Sequence, residues 1–105
     1  MVQEVCFFLD KLGVKVTGIG SGTIIVEGIS DINIDIEYSN SEDPIESMMF
    51  ISAAITTNSE LIIKRCPIDF LTLELYKLKK MGLKYKVLKN YLSENENTKL
   101  IDIQL

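Results

Sequence analysis

The chain has 105 residues, 47% of them hydrophobic, enough for one domain with a real core. Its 11 Lys and Arg against 15 Asp and Glu leave a net charge of −4, which argues against a nucleic-acid surface. It holds no histidine, so common zinc sites and Ser-His-Asp or Cys-His catalysis within the chain are excluded, and it has no 18-residue apolar run to span a membrane.

Val2 to Leu12 reads as a short helix, with Val2, Cys6, Leu9 and Leu12 on one face. Gly13 suits the left-handed residue just past its end. Val14–Ile19 and Thr23–Gly28 are expected to form a hairpin around Gly20-Ser21-Gly22. Ile32–Tyr38 alternates, with Ile32, Ile34 and Ile36 on one side and Asn33, Asp35 and Glu37 on the other. That pattern predicts a half-buried strand. Ser39–Glu42 is a polar loop, and Ser39–Asp43 is the only plausible break.

Asp43-Pro44-Ile45-Glu46 is a helix start. Asp43 can be the N-cap, Pro44 the first helical residue, and Glu46 can reach back to close a capping box. The helix that follows, through Ile55, is apolar around most of its girth and is expected to be buried. Its small residues Ser52, Ala53 and Ala54 would allow close approach. Glu60–Cys66 reads as a strand. Pro67 opens a helix with Ile68, Leu71, Leu75 and Leu78 on one stripe and Lys77, Lys79 and Lys80 in its last turn. Gly82 ends it as Gly13 ended the first. Leu83–Leu88 is a predicted strand, Asn90–Asn97 a hairpin or polar loop, and Thr98–Leu105 a last strand.

The order is α-β-β followed by β-α-β-α-β-β, an α/β (α+β) fold. Residues 1–38 form a half repeat of helix, hairpin and strand, and residues 39–105 complete the unit as a single compact domain or fragment. Leu9–Val16 (LDKLGVKV) and Leu78–Tyr85 (LKKMGLKY) repeat each other at a spacing of 69 residues. Such spacing fits a repeated supersecondary unit. The chain reads as if cut from something longer.

Candidate chemistry is sparse. Gly18-Ile19-Gly20-Ser21-Gly22 has the look of a phosphate loop, but Thr23-Ile24-Ile25-Val26 after it is strand, where a phosphate site needs a helix. The turn reading is preferred. Asp43 and Glu46 could be paired carboxylates, yet their spacing and Pro44 favour the cap. Lys64-Arg65 is a basic step that could meet a phosphate or simply be a solvated edge. Met48-Met49-Phe50 could line a groove, although Met and Phe on a helix are more often core. Cys6 and Cys66 read as small buried apolar residues. No charged segment followed by an apolar run and a cleavage site opens the chain, so no leader is expected and a reducing, cytoplasmic setting is.

Val2–Val16, Thr23–Gly28, Asp43–Thr56 and Leu71–Tyr85 resemble the middle of the enolpyruvyl transferase family, on its UDP-N-acetylglucosamine 1-carboxyvinyltransferase side. The similar stretches are FLDKLGVKVTGIGSGTIIVEGI, DPIES…FISAAIT and LELYKLKKMGLKYKV. The resemblance implies an inside-out barrel of six β-α-β-α-β-β repeats, of which this chain would cover about one and a half. It implies transfer of enolpyruvyl from phosphoenolpyruvate to UDP-N-acetylglucosamine in peptidoglycan synthesis, with the shikimate 3-phosphate enzyme as the alternative. Pro44 stands where the family has Arg, and Ser47-Met48-Met49 replaces its small-Gly-Thr run. The family's loop cysteine, phosphoenolpyruvate-binding Lys-Asn pair, phosphate Arg residues and catalytic Asp fall outside this stretch. No catalytic, cofactor-binding or metal residue is carried over, and no cofactor is implied. Asp43, Pro44, Glu46, Gly13 and Gly82 have structural roles, and Ser39–Asp43 lies near the family's interdomain hinge. The expected partner is the remainder of the parent enzyme or, in isolation, a second copy in a homodimer, with no nucleic acid or membrane. A rival reading is a free-standing α/β ligand-binding or dimerisation module.

Overall fold

A computed structural model describes residues 2–105. Eight elements follow one another: α1 Val2–Lys11, β1 Lys15–Thr17, β2 Ile25–Glu27, α2 Pro44–Thr57, β3 Ile62–Pro67, α3 Ile68–Lys80, β4 Lys86–Leu92 and β5 Lys99–Gln104. Internal contacts divide them into two units, residues 2–40 and 41–105. No described helix is long and apolar enough to cross a membrane.

In the first unit β1 and β2 pair antiparallel, with Lys15 opposite Glu27 and Val16 opposite Val26. Cys6, Val14 and Val16 form a small core, with Leu9 and Ile19 against it. The chain leaves α1 through Gly13 at φ +87°. The Gly13 N–H donates to the Asp10 carbonyl and the Val14 N–H to the Leu9 carbonyl, which satisfies two carbonyls that the helix end would orphan. The hairpin turn is tight. Gly18 has φ +77°, and a Cβ there would lie 2.2 Å from the Thr23 carbonyl oxygen, so the position requires glycine.

The expected strand at Ile32–Tyr38 does not form, and residues 28–43 carry no helix or strand. Ile32 and Ile34 are about half exposed. Alternation fixes which side chains share a face, but a strand exists only when a ladder partner takes its backbone groups. Here the end of the segment is held by side chains instead. Tyr38 Oη donates to Glu4 Oε1 at 2.8 Å, and its ring meets Phe8 edge-on at 5.4 Å.

In the second unit β3, β5 and β4 form an antiparallel sheet in that order. The helices α2 and α3 cover one face. Ile51 of α2, Leu71 and Leu75 of α3, Ile63 and Cys66 of β3, and Ile101 and Ile103 of β5 form the core, with Ile68 and Leu78 packed against it. The stripe expected on α3 is therefore the buried one. Its end repeats that of α1: Gly82 has φ +110°, its N–H donates to the Lys79 carbonyl, and the Leu83 N–H donates to the Leu78 carbonyl. The sequence repeat is thus a repeated helix-stop geometry.

Asp43 caps α2, with Oδ1 accepting from the Ile45 N–H at 2.8 Å and Pro44 in the first turn. The expected return bond from Glu46 is not among the bonds of this turn. Instead Ser47 donates from both its N–H and its hydroxyl to the Asp43 carbonyl. We expect Asp43→Ala to cost about 1 kcal/mol, measured as a lower denaturant midpoint. An unchanged midpoint would leave Asp43 free for another role.

Two expectations need correction. The helix α2 is not buried all round. Ser47, Ile51 and Ala54 are buried, whereas Ile45, Met49, Phe50 and Ile55 are exposed. Apolar girth measures demand for cover, and the sheet supplies it on one side only. The strand expected at Leu83–Leu88 lies later, at Lys86–Leu92, and consumes the first residues of the expected polar loop. Pairing with β5 sets its limits, running from Lys86 opposite Gln104 to Leu92 opposite Lys99. The connecting turn is closed by the Ser93 N–H to the Thr98 carbonyl at 2.9 Å. Beneath it the Thr98 and Ser41 hydroxyls are 2.9 Å apart, and Asn95 Nδ2 donates to Ser41 Oγ at 2.8 Å.

Candidate functional site

The most unusual backbone of the second unit is in β3. Its register against β5 shifts between Ile63 and Cys66, and Arg65 sits inside the shift at φ +58°. A β-bulge bends its strand and re-aims a side chain. A non-glycine residue in the left-handed region costs roughly 1–2 kcal/mol. Side chains from the other two strands of the sheet hold it there. The Arg65 N–H donates to Tyr91 Oη at 2.9 Å and to Asp102 Oδ1 at 3.0 Å, and Tyr91 Oη donates to the same carboxylate oxygen at 2.6 Å.

The re-aimed guanidinium reaches Glu42. Arg65 Nε donates to Glu42 Oε1 at 2.6 Å, and Nη2 contacts the same oxygen. Glu94 lies farther away, at 3.9 Å. The Glu42 bond, opposed by partial desolvation, raises the guanidinium above its already high range. Glu42 Oε2 is buried and accepts no hydrogen bond.

Asp102 is held below the usual carboxylate range, first by the Tyr91 hydroxyl and then by the Arg65 N–H. Burial, then the bond to Asp102, pushes the Tyr91 phenol up. The signs of the linkage follow. Asp102 has a lower pKa folded than unfolded, so its contribution is full above the unfolded value of about 4 and is lost as pH falls through the folded one. Tyr91 contributes fully below about pH 10 and loses this as pH rises through its folded value. We therefore expect Asp102→Asn to flatten the acid limb of the stability curve. Urea melts between about pH 3 and 6 measure it, and parallel curves for the two proteins would refute the assignment.

Beside this bulge a cleft of about 390 Å³ opens between α2 and β3. Asp43, Glu46, Ser47 and Phe50 line it from the helix side and residues 61–65 from the strand side. Three carboxylates border it, those of Glu42, Asp43 and Glu46. Asp43 is engaged as a cap, Glu42 is paired, and Glu46 is exposed. Cys66 is fully buried, and burial pushes its thiol up, with Ser47 opposing this, so it offers no thiolate. Among the described residues no group of three metal-ligating side chains comes together.

The structure brings Asp43, Pro44 and Glu46 to the start of α2, where Asp43 and Glu46 line the cleft, and leaves Gly13 and Gly82 at two helix ends. Of Met48-Met49-Phe50, Met48 packs toward the core, Met49 is exposed and only Phe50 lines the cleft. Arg65 of the basic step is paired, and Lys64 remains exposed. The Arg65–Tyr91–Asp102 arrangement was not legible in the sequence. Its members lie 26 and 37 residues apart on three strands, and no local pattern joins them.

Comparison with known proteins gives one family. The model of EPSP synthase (3-phosphoshikimate 1-carboxyvinyltransferase) matches residues 1–105. The chain is 31% identical over 103 residues to a UDP-N-acetylglucosamine 1-carboxyvinyltransferase of Histophilus somni, covering 98% of this chain and 22% of that protein. It is 29% identical over 104 residues to UDP-N-acetylglucosamine 1-carboxyvinyltransferase 2 of Caldanaerobacter subterraneus, covering 97% of this chain and 25% of that one. A third relative of the same name, from Chloroherpeton thalassium, is 35% identical over 81 residues, with 77% and 19% covered. The matches thus span about a fifth to a quarter of these relatives. No solved structure matches the chain.

Proposed function

Since the chain belongs to the EPSP synthase (3-phosphoshikimate 1-carboxyvinyltransferase) family of enolpyruvyl transferases, we propose that it is a scaffold segment of a cytoplasmic enzyme of this family, one that moves enolpyruvyl from phosphoenolpyruvate to UDP-N-acetylglucosamine. Its mixed α/β fold, with three helices and two antiparallel sheets, is consistent with a fragment of such an enzyme. The observation that carries the choice of acceptor is the likeness, along nearly the whole chain, to relatives named for the sugar-nucleotide reaction. In this reading the chain supplies structure and the remainder of the enzyme supplies the reacting groups. The chemistry of the second unit supports that division. At the α2–β3 cleft Asp43 is engaged as a cap and Glu42 in an ion pair, and the Cys66 thiol is buried with its pKa pushed up.

Phosphate release from phosphoenolpyruvate tests the proposal. The isolated chain is expected to release none with UDP-N-acetylglucosamine. A longer protein carrying this segment is expected to turn over with that acceptor and not with shikimate 3-phosphate. Preference for shikimate 3-phosphate would reassign the acceptor. Turnover by the isolated chain, lost in Cys6→Ser or Cys66→Ser, would overturn the scaffold role.

A further inference from the structure

Residues 41–43 lead into α2 with no helix or strand of their own. Ordering such a segment costs conformational entropy, so specific bonds must hold it. Three consecutive side chains supply them. Asp43 binds the helix that it precedes, Glu42 binds Arg65 of β3, and Ser41 binds the turn between β4 and β5. The Asp43 bond is local to α2. The other two reach across the fold.

Both of these lead to the same hairpin, β4–β5. At its tip, Asn95 Oδ1 accepts from the Ser93 hydroxyl and from the Asn97 N–H. Those bonds leave Asn95 Nδ2 directed at Ser41 Oγ, 2.8 Å away. Buried Thr98 sets its hydroxyl 2.9 Å from the same Ser41 oxygen, and its N–H is tied to Ser93 Oγ. At the stem, Tyr91 of β4 and Asp102 of β5 hold the Arg65 N–H in the bulge, and the bulge aims the guanidinium at Glu42. The hairpin therefore grips Ser41 directly and Glu42 through Arg65. The first grip is a neutral network on buried Ser93 and Thr98, and such networks rigidify what they join. The second is an ion pair whose arginine side chain is half exposed.

We propose that Ser41 and Glu42 are a strap and the β4–β5 hairpin its buckle, a latch that fixes the chain from Ser41 onward. The second unit begins at the same residue. With the buckle closed, turning of the chain between the units reaches no further than Asn40. With the buckle released, it reaches Asp43, where the helix cap stops it. The latch thus sets where the joint between the two units ends. It needs no substrate and is independent of the enzymatic reading above.

Backbone order parameters from nuclear magnetic resonance of the whole chain test the latch, since rigid backbone gives about 0.85 and flexible backbone less than about 0.6. In the wild type, Ser41 and Glu42 are expected at the rigid value. Asn95→Ala combined with Arg65→Ala is expected to take both into the flexible range, while Ile45, Ile51 and Ile103 keep their wild-type values. Asn95→Ala alone is expected to loosen Ser41 more than Glu42, and Arg65→Ala alone to do the reverse. Ser41→Ala combined with Glu42→Ala opens the strap from its own side and leaves the hairpin whole. The same local loss is expected there, so the test stands even if the hairpin variant fails to fold. Wild-type order at residues 41 and 42 in this strap variant would overturn the latch, as would a wild-type chain already flexible at both. Loss of order that spread to Ile51 and Ile103 would also overturn it, because the bonds would then hold the core rather than a strap.

Discussion

Replacing Ile103 with alanine is expected to destabilise the second unit by about 2–5 kcal/mol. Ile103 lies on the central strand β5, paired with Ile63 on one side and Val87 on the other, and is fully buried among Ile51, Leu71 and Leu75. A central strand cannot relax toward either neighbour without breaking a ladder, so the space left by the deleted carbons stays open. Against a total stability of roughly 5–15 kcal/mol for a domain, the loss is a large fraction. Val26→Ala on β2, where the side chain is half exposed and belongs to the other unit, is expected to move the midpoint by less than about 0.5 kcal/mol. Urea melts of the three proteins read both numbers. Equal effects of Ile103→Ala and Val26→Ala would mean that β5 is not the centre of the core.

What the sequence revealed of this fold is what local chemistry decides. Gly13 and Gly82 mark helix ends because a left-handed residue is required one step past the last turn, and three or four residues suffice to show it. Asp43 before Pro44 is of the same kind. The stripe Ile68, Leu71, Leu75 and Leu78 was legible because one helix face needs one partner surface. Failures occur where a partner decides. Ile32–Tyr38 has a strand's pattern and no strand beside it. The helix α2 has apolar residues all round, but the sheet covers only the side bearing Ile51 and Ala54. The limits of β4 follow β5 rather than its own residues, so Leu83 and Tyr85 pack on the core from outside the strand. The Arg65 bulge is the extreme case. A positively charged residue near a strand end carries no mark of left-handed backbone, and Tyr91 and Asp102, which hold it, belong to other strands.

That bulge gives an expected reversal of a general rule. In an ordinary strand, glycine is less stable than alanine by roughly 0.5–1 kcal/mol, because it loses more freedom on folding. At position 65 we expect the opposite order. Arg65→Ala removes the guanidinium from Glu42, whose side chain is only 19% exposed and whose Oε2 is buried without a hydrogen bond. Breaking a fully buried pair costs about 3–5 kcal/mol; with the arginine side chain 45% exposed, solvent reduces this to about 1–2 kcal/mol. The backbone strain persists in the alanine variant, because Tyr91 and Asp102 still take the N–H of residue 65. Arg65→Gly loses the same ion pair but removes a left-handed penalty of roughly 1–2 kcal/mol. It is therefore expected to be about 1 kcal/mol more stable than Arg65→Ala. Adding Glu42→Gln to Arg65→Ala should recover part of the loss, since a neutral amide needs no cation. Denaturant midpoints at pH 7 order the four proteins. If glycine proves less stable than alanine at this position, residue 65 does not hold the left-handed conformation in solution. The clamp from Tyr91 and Asp102 would then have to act on a relaxed strand.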